Sequence, residues 1–440
     1  MRNADHIGRV GALAVFFGVG AGAALSVGAP EAQADSVLDN LRPNISVSAG
    51  GHNVVKSGSA TAATSDRHSL AIAIGKNSTA TATGKHNSAL ALGDNGSATA
   101  VDGTRNRAVA IGTNVSSTAR GGSNNSAYAR GRDTTAIATC RYGFECDNNR
   151  ASAVGTGSSA QILRGSGNTA IANGDNSRAS VGRGDNNTAV AHGRDAEAAA
   201  GLGLADEGNV AIARGTRSRA SAGSGNRNVA RATGTDSYAV AGSGNDNNAI
   251  AHGREAEAEA SNGDNNAASA HGDAGYAVAT EGDRNSAAAR GLFATAYAAN
   301  GSDNVAAARG EGSRALALFG DGNEARATGS RTIAEASEGD GNLAIADGDD
   351  SKAYSGVGDR NTATVNGTDS RAEANYGDNN TAFVEGNGSS ATAGGLFGSF
   401  FNDNVARVTG NNSYATAGPG DGNEAIIVGD NQTLQVPPQP

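Results

Sequence analysis

Asn342 to Arg360 read N-L-A-I-A-D-G-D-D-S-K-A-Y-S-G-V-G-D-R, and this stretch is one copy of a unit that fills most of the chain. Ala344, Ala346, Gly348, Ser351, Ala353, Gly358 and Asp359 occupy the recurrent positions of the template N-x-A-x-A-x-G-x-x-S-x-A-x-A-x-x-G-D-x. The unit holds two short stretches in which Ala alternates with a variable residue. A period of two is the signature of a β-strand. Gly, Asp, Asn and Ser cluster between the stretches, where a chain turns through positive φ or caps itself with a short polar side chain. Two strands and two turns in 19 residues make one coil of a flattened parallel solenoid.

Working outward, the leading Asn recurs at Asn87, Asn106, Asn125, Asn149, Asn168, Asn187, Asn209, Asn228, Asn247, Asn266, Asn285, Asn304, Asn323, Asn342, Asn361, Asn380, Asn404 and Asn423. Of these 17 spacings, 14 are 19 residues. Low-complexity disorder does not keep phase in this way, whereas a repeat fold must. After the Ala at the third position come Ile345, Thr364, Arg326, Ser269 and Phe383 in different units. A position that accepts Arg and Phe alike faces solvent, and a position held to Ala is close-packed. The expected fold is therefore all-β: a parallel β-solenoid of 19-residue coils, two short strands per coil, around a thin Ala core. The leading Asn is expected to stack coil on coil and to bond turn backbone. With coils about 4.8 Å apart, such a rod would run on the order of 90–100 Å.

Composition agrees. The chain has 440 residues, 65 of them Gly, with 4% aromatics, one Met and no Trp. It cannot build an ordinary core, so it is either disordered or thin and repetitive. The net charge is −10, with basic and acidic residues interleaved. No basic block exists, so nucleic acid is not an expected partner.

The ends read differently from the repeat. Arg2 and Arg9, an apolar run from Val10 to Val27, and Ala32-Gln33-Ala34 describe a signal peptide over 1–34, cleaved before Asp35. Export to a secreted, extracellular or cell-envelope location follows, with no membrane span in the mature chain. Residues 35–68 read as an N-terminal cap with a degenerate first coil; Leu38, Leu41 and Ile45 are its apolar residues. The solenoid proper is expected over 69–431, and 432–440 as a disordered, Pro-tipped tail.

The early units Ser69–Gly75, Ala89–Gly93 and Arg107–Gly112 read S-L-A-I-A-I-G, A-L-A-L-G and R-A-V-A-I-G. They resemble the head repeats of YadA-like trimeric autotransporter adhesins. That resemblance implies a left-handed parallel β-roll, a bacterial source and a surface, adhesin-like role. It covers residues 69–112 well and fades beyond them. That family's repeat is shorter, and its paired aliphatic residues give way here to polar ones, as in Ala170-Ile-Ala-Asn-Gly174. No heptad stalk or C-terminal barrel is present in this sequence. Arg231, Arg326 and Arg407 interrupt one outer face, and Glu259, Glu335 and Glu373 the other. A broad dry trimer interface is not expected, and the choice between monomer and homotrimer stays open.

Three units are longer than 19 residues, those beginning at Asn125, Asn187 and Asn380. All three carry the extra residues in the turn before the next Asn, which puts the inserts on one edge. They contain Cys140 to Cys146, then Leu202 and Leu204, then Leu396, Phe397, Phe400 and Phe401. Apolar loops on a polar rod mark a candidate binding edge, with Tyr142, Phe144, Leu396, Phe397, Phe400 and Phe401 as the partner-binding residues. The plainer reading is that they cover a sheet edge. Cys140 and Cys146 are the chain's two cysteines, and in an exported protein they read as a disulfide.

Gly-Asp turns such as Gly282-Asp283 could hold calcium, but acid recurs in only one turn per unit, so turn capping is the expected role. His192, Arg214, Thr233, His252, His271, Arg290 and Arg309 fall at the sixth position of successive units. They form either an anion-facing stripe or a solvated face, with Asp195 and Glu255 nearby. No nucleophile elbow, zinc spacing or phosphate loop occurs. No catalytic, cofactor or metal residues are expected. A solenoid lyase would need longer coils with larger aliphatic cores, and an ice-binding face would need an outward Thr array. The expected function is a secreted or cell-surface structural, adhesin-like protein; the alternative is a glycan- or calcium-dependent binder using the insert edge. The partner would be an extracellular protein or glycan.

Overall fold

A computed structural model of the chain describes residues 43–140, 146–203, 206–395 and 399–436. The signal peptide read over 1–34, with Leu38 and Leu41 of the expected cap, lies outside the described residues. From Asn44 onward the chain forms one compact unit.

That unit is a parallel β-solenoid. The first strand of each coil pairs with the first strand of the next, and the second with the second. Leu343–Asp347 pairs in register with Thr362–Asn366, and Lys352–Gly356 with Arg371–Asn375. Two parallel ladders result, here termed the front sheet (first strands) and the back sheet (second strands). The front sheet has 21 strands, counting the two cap strands Ile45–Ala49 and His52–Ser57.

Burial follows the alternation. In Leu343–Asp347, Ala344 and Ala346 are fully buried while Leu343, Ile345 and Asp347 are not. The interior is layer upon layer of Ala, with Ile162, Val181, Val365, Val384 and Val408 as occasional larger fillers. Ala is what fits because the turns hold the two sheets close. A larger side chain on every coil would push them apart.

The turns bring glycine into contact with the next coil. Gly282 has φ +147°, and a Cβ there would lie 1.9 Å from the carbonyl oxygen of Gly301. Only a residue without a side chain allows that approach. Two other turn columns, one on each edge, take positive φ with Asn, Asp or even Arg: Arg284 at 59°, Asp303 at 62°, Arg331 at 56° and Asp350 at 56°.

The beginning of the solenoid departs from the repeat. Strand Ile45–Ala49 runs antiparallel to Leu70–Ile74, and it also forms a hairpin with His52–Ser57. This strand covers the open edge of the first front strand, satisfying backbone groups that would otherwise invite another chain. His52 to Thr64, within the degenerate first coil, holds two strands, His52–Ser57 and Thr61–Thr64. Buried Ser46 and Ser48 stand where coils have Ala. The Ser46 hydroxyl oxygen accepts the N–H of Ala62, and Ser48 bonds His52 and Thr64.

The far end corrects the tail reading. Gln432 to Val436 are not a disordered segment. Thr433–Gln435 is a strand paired with Tyr414–Ala417, the N–H of Tyr414 donates to Gln432 O, and that of Val436 to Thr416 O. Gln432 occupies the unit's Ser position and donates its own N–H to Ser413 Oγ. The backbone partners offered by the previous coil outweigh the polar composition. Pro437 to Pro440 lie outside the described residues.

Candidate functional site

The Asn column is the spine to which every other feature is referred. At Asn285 the side-chain nitrogen donates to Thr280 O at 3.0 Å and Gly301 O at 2.8 Å, while the side-chain oxygen accepts the N–H of Asn304 at 3.0 Å. The side chain is fully buried and all its polar capacity in the turn is used.

The three inserts leave the back sheet after Thr135–Thr139, Glu197–Ala200 and Ser390–Gly394, and all return to the front sheet on one edge. Each rejoins the Asn column three residues before the next Asn. Asn125 donates to Cys146 O at 2.7 Å, Asn187 to Asp206 O at 2.8 Å, and Asn380 to Phe401 O at 2.8 Å. Cys146, Asp206 and Phe401 thus fill the place of the turn glycine. The loops are extrusions from an unbroken ladder.

Cys140 and Cys146 are disulfide-bonded, with Cα atoms 5.6 Å apart. The bond closes the neck of the first insert. Tyr142 and Phe144 lie outside the described residues, as do Leu204 of the second insert and Leu396 and Phe397 of the third. Phe400 is 62% exposed, and its ring stands edge-on to Tyr376 with centroids 6.4 Å apart. Phe401 is only partly exposed and donates its N–H to Tyr376 O at 2.8 Å. The structure therefore splits the pair into one outward aromatic and one held by the ladder.

Sequence reasoning missed Tyr376 and Phe319. Both sit in the insert-edge turns at positive φ, in one column with Glu338 and Val357. Phe319 is 55% exposed. The signal was available: the residue that leaves the back strand recurs every 19 positions, and an aromatic there must project from the edge.

The Gly-Asp turns form a ladder of their own. Asp264 donates its N–H to Asp283 Oδ1 at 2.8 Å, and Asp321 to Asp340 Oδ1 at 2.8 Å; Asp378 uses Asn402 Oδ1 at 2.7 Å. Because Asn substitutes for Asp in the same bond, the amide-accepting oxygen is what the turn requires. Among the described residues, no group of three or more His, Cys, Asp and Glu side chains gathers as a metal site.

The positive-φ columns carry Arg–Asp pairs one coil apart. Arg217 meets Asp236, Arg227 meets Asp246 and Arg284 meets Asp303, each through two bonds of 2.6–2.7 Å. Arg331 binds Asp350 in the same sense, and Arg254 binds Asp273 one position earlier in that turn. The guanidinium hydrogen bonds hold Asp236, Asp246, Asp303 and Asp350 below the usual carboxylate range.

The sixth-position stripe is assembled as a register column. His192 pairs with Arg214, Arg214 with Thr233, Thr233 with His252, His252 with His271, His271 with Arg290 and Arg290 with Arg309. His252 and His271 have ring centroids 5.9 Å apart. Burial, then the charges of Arg290 and His252, holds the His271 imidazole below its usual value. Among the described residues, Asp195 and Glu255 form no ion pair with the column.

The geometry defines a parallel β-solenoid repeat protein with outward side-chain columns and one insert-bearing edge. No family model matches the chain, and no curated protein matches it. The β-solenoid agrees with the β-roll that the resemblance of residues 69–112 implies, and no family match supports the family itself.

Proposed function

We propose that the chain is a secreted or cell-surface, adhesin-like structural protein without catalytic activity. The observation that carries this reading is the unbroken double ladder. Its interior is filled with Ala, its turn amides and carboxylates are committed to coil stacking, and variability is confined to outward columns. Such a body suits display and spacing. The sequence features of residues 1–34 support export, and the Cys140–Cys146 bond suits an oxidising compartment. The test is to express the whole chain in its source cell, read the mature N-terminus by intact mass, and probe intact cells with protease. A start at Asp35 with external cleavage supports the reading. An unprocessed chain protected inside cells, or release of unsaturated sugars from a polysaccharide, overturns it.

The exposed Phe400 beside Tyr376 supports a second reading, a glycan- or calcium-dependent binder using the insert edge. Glycan-array binding with and without calcium, lost in Phe400→Ser, separates the two.

A further inference from the structure

The charges of the front sheet are segregated in a way that the chain order conceals. From Leu70–Ile74 to Val305–Arg309 the front sheet contributes 13 consecutive strands, and none carries Asp or Glu. The same strands carry eight Arg and three His, in a chain of net charge −10. All these cations stand on the outer face, since the alternate positions are the buried Ala column. Acid returns to this face only with Glu324, Asp347, Glu385 and Glu424.

The basic column is also unpaired. Elsewhere the protein sets Asp opposite Arg on neighbouring coils, as at Arg284 and Asp303. Here it sets Arg290 opposite Arg309, with the imidazole of His271 opposite Arg290 on the other side. Like charges directly opposite across a sheet oppose folding. Among the described residues no carboxylate comes within ion-pair distance of Arg214, Arg290 or Arg309. Of the turn acids on that side, Asp236 and Asp273 are taken by Arg217 and Arg254, while Asp195, Glu255 and Glu311 form no ion pair with the column among the described residues. The columns beside the stripe are small or aliphatic, as with Ile212, Ala288 and Ala307, so the cations stand clear.

We infer that the outer face of the front sheet is a docking track for a linear acidic polysaccharide lying along the rod. The ligand class follows from spacing and from what the face lacks. From His192 to Arg309 each coil sets one Arg or His on this face, about every 4.8 Å, close to the repeat of carboxylates along an extended polyuronate. Single-stranded nucleic acid is held by base stacking on aromatic side chains as well as by charge, and Tyr128 is the one aromatic on these 13 strands. A shallow groove bounded by Arg107, Tyr128 and Arg150 lies on the same face nearer the first coils, at the other end of the strands from the sixth-position column. This surface is distinct from the insert edge and does not depend on where the protein resides.

The experiment uses the full chain and immobilised alginate, a linear polyuronate. Wild type is expected to bind at low salt and to release steadily as NaCl is raised. The triple variant Arg214→Ser, Arg290→Ser, Arg309→Ser is expected to bind at least about tenfold more weakly, with a shallower salt dependence. It should keep its β circular-dichroism spectrum and melt no lower than wild type. The control Arg178→Ser, Arg219→Ser, Arg314→Ser removes the same charge from the back sheet and is expected to leave binding unchanged. If the Ser triple loses its β spectrum, the Gln triple at the same positions keeps bulk and makes the same comparison. Equal losses from both sheets, equal binding to neutral dextran, or tighter binding to oligodeoxythymidine than to alginate would each overturn the inference.

Discussion

The side-chain oxygen of Asn285 accepts the backbone N–H of Asn304, 3.0 Å away and 19 residues later in the chain. Asn304 does the same for Asn323 at 2.9 Å, and the relay runs through the solenoid. Asn285 and Asn304 also close both their own turn and the next coil's turn. The column is therefore the joint at which every coil is stitched to its neighbour.

Replacing Asn285 by Ala strands the carbonyls of Thr280 and Gly301 and the N–H of Asn304 in a buried setting. The expected cost is about 3 kcal/mol, concentrated in the coils on either side. Urea unfolding and hydrogen exchange of the 285–304 amides check it. An unchanged midpoint with unchanged exchange would remove the Asn column from the stability argument.

Gly282→Ala combines a positive φ of 147° with a Cβ placed 1.9 Å from Gly301 O, so the coils must part. The expected loss is more than about 2 kcal/mol. Gly322 has φ +69° and open space around its added Cβ. Its Ala variant should lose only about 1 kcal/mol. Thermal melts of the two variants should rank in that order; the reverse ranking sinks the close-approach account.

Ala306 is buried and Ala307, its neighbour, faces out. Ala306→Leu should overpack the interior by ~1–3 kcal/mol. Ala307→Leu should be nearly neutral. Equal melting points for the two variants would mean that the interior is not packed as described.

Acid should loosen the turn columns. Folding lowers the pKa of Asp236, Asp246, Asp303 and Asp350 through their Arg partners. A depressed folded pKa adds stability that is present above the unfolded value, near 4, and is lost as pH falls through the folded value. The pairs are exposed, so each contributes little and salt screens it. Melting temperature is expected to drop below about pH 4, with a smaller drop in the fourfold Asp→Asn variant. Identical acid profiles for variant and wild type count against a role for these pairs.

Much of this was legible before any coordinates. The spacing of Asn342 from Asn323 and Asn361 states the coil, and the fixity of Ala344 and Ala346 beside variable Ile345 states which face is inside. The disulfide of Cys140 and Cys146 follows from two cysteines in one insert. What escaped was pairing between distant positions. The antiparallel strand Ile45–Ala49 carries no repeat signal, and Thr433–Gln435 has a tail's composition; both are strands because a neighbouring edge offers backbone partners. Arg284 and Asp303 look like unrelated turn residues until a coil period places one on the other.

The sequence by itself determined the period, the alternation and the residues that can occupy a turn, because these depend on local geometry: Ala in a narrow interior, Gly where backbones touch, Asn where an amide must bond both ways. The period also lines up the sixth-position basic column; only the tertiary structure decided which of the charges are paired. Read along the chain, Arg214, His252, Arg290 and Arg309 are scattered among acids. Folded, the period carries those acids to the turns and the other sheet, and the cations fall into line on one face, because parallel stacking superimposes every nineteenth residue.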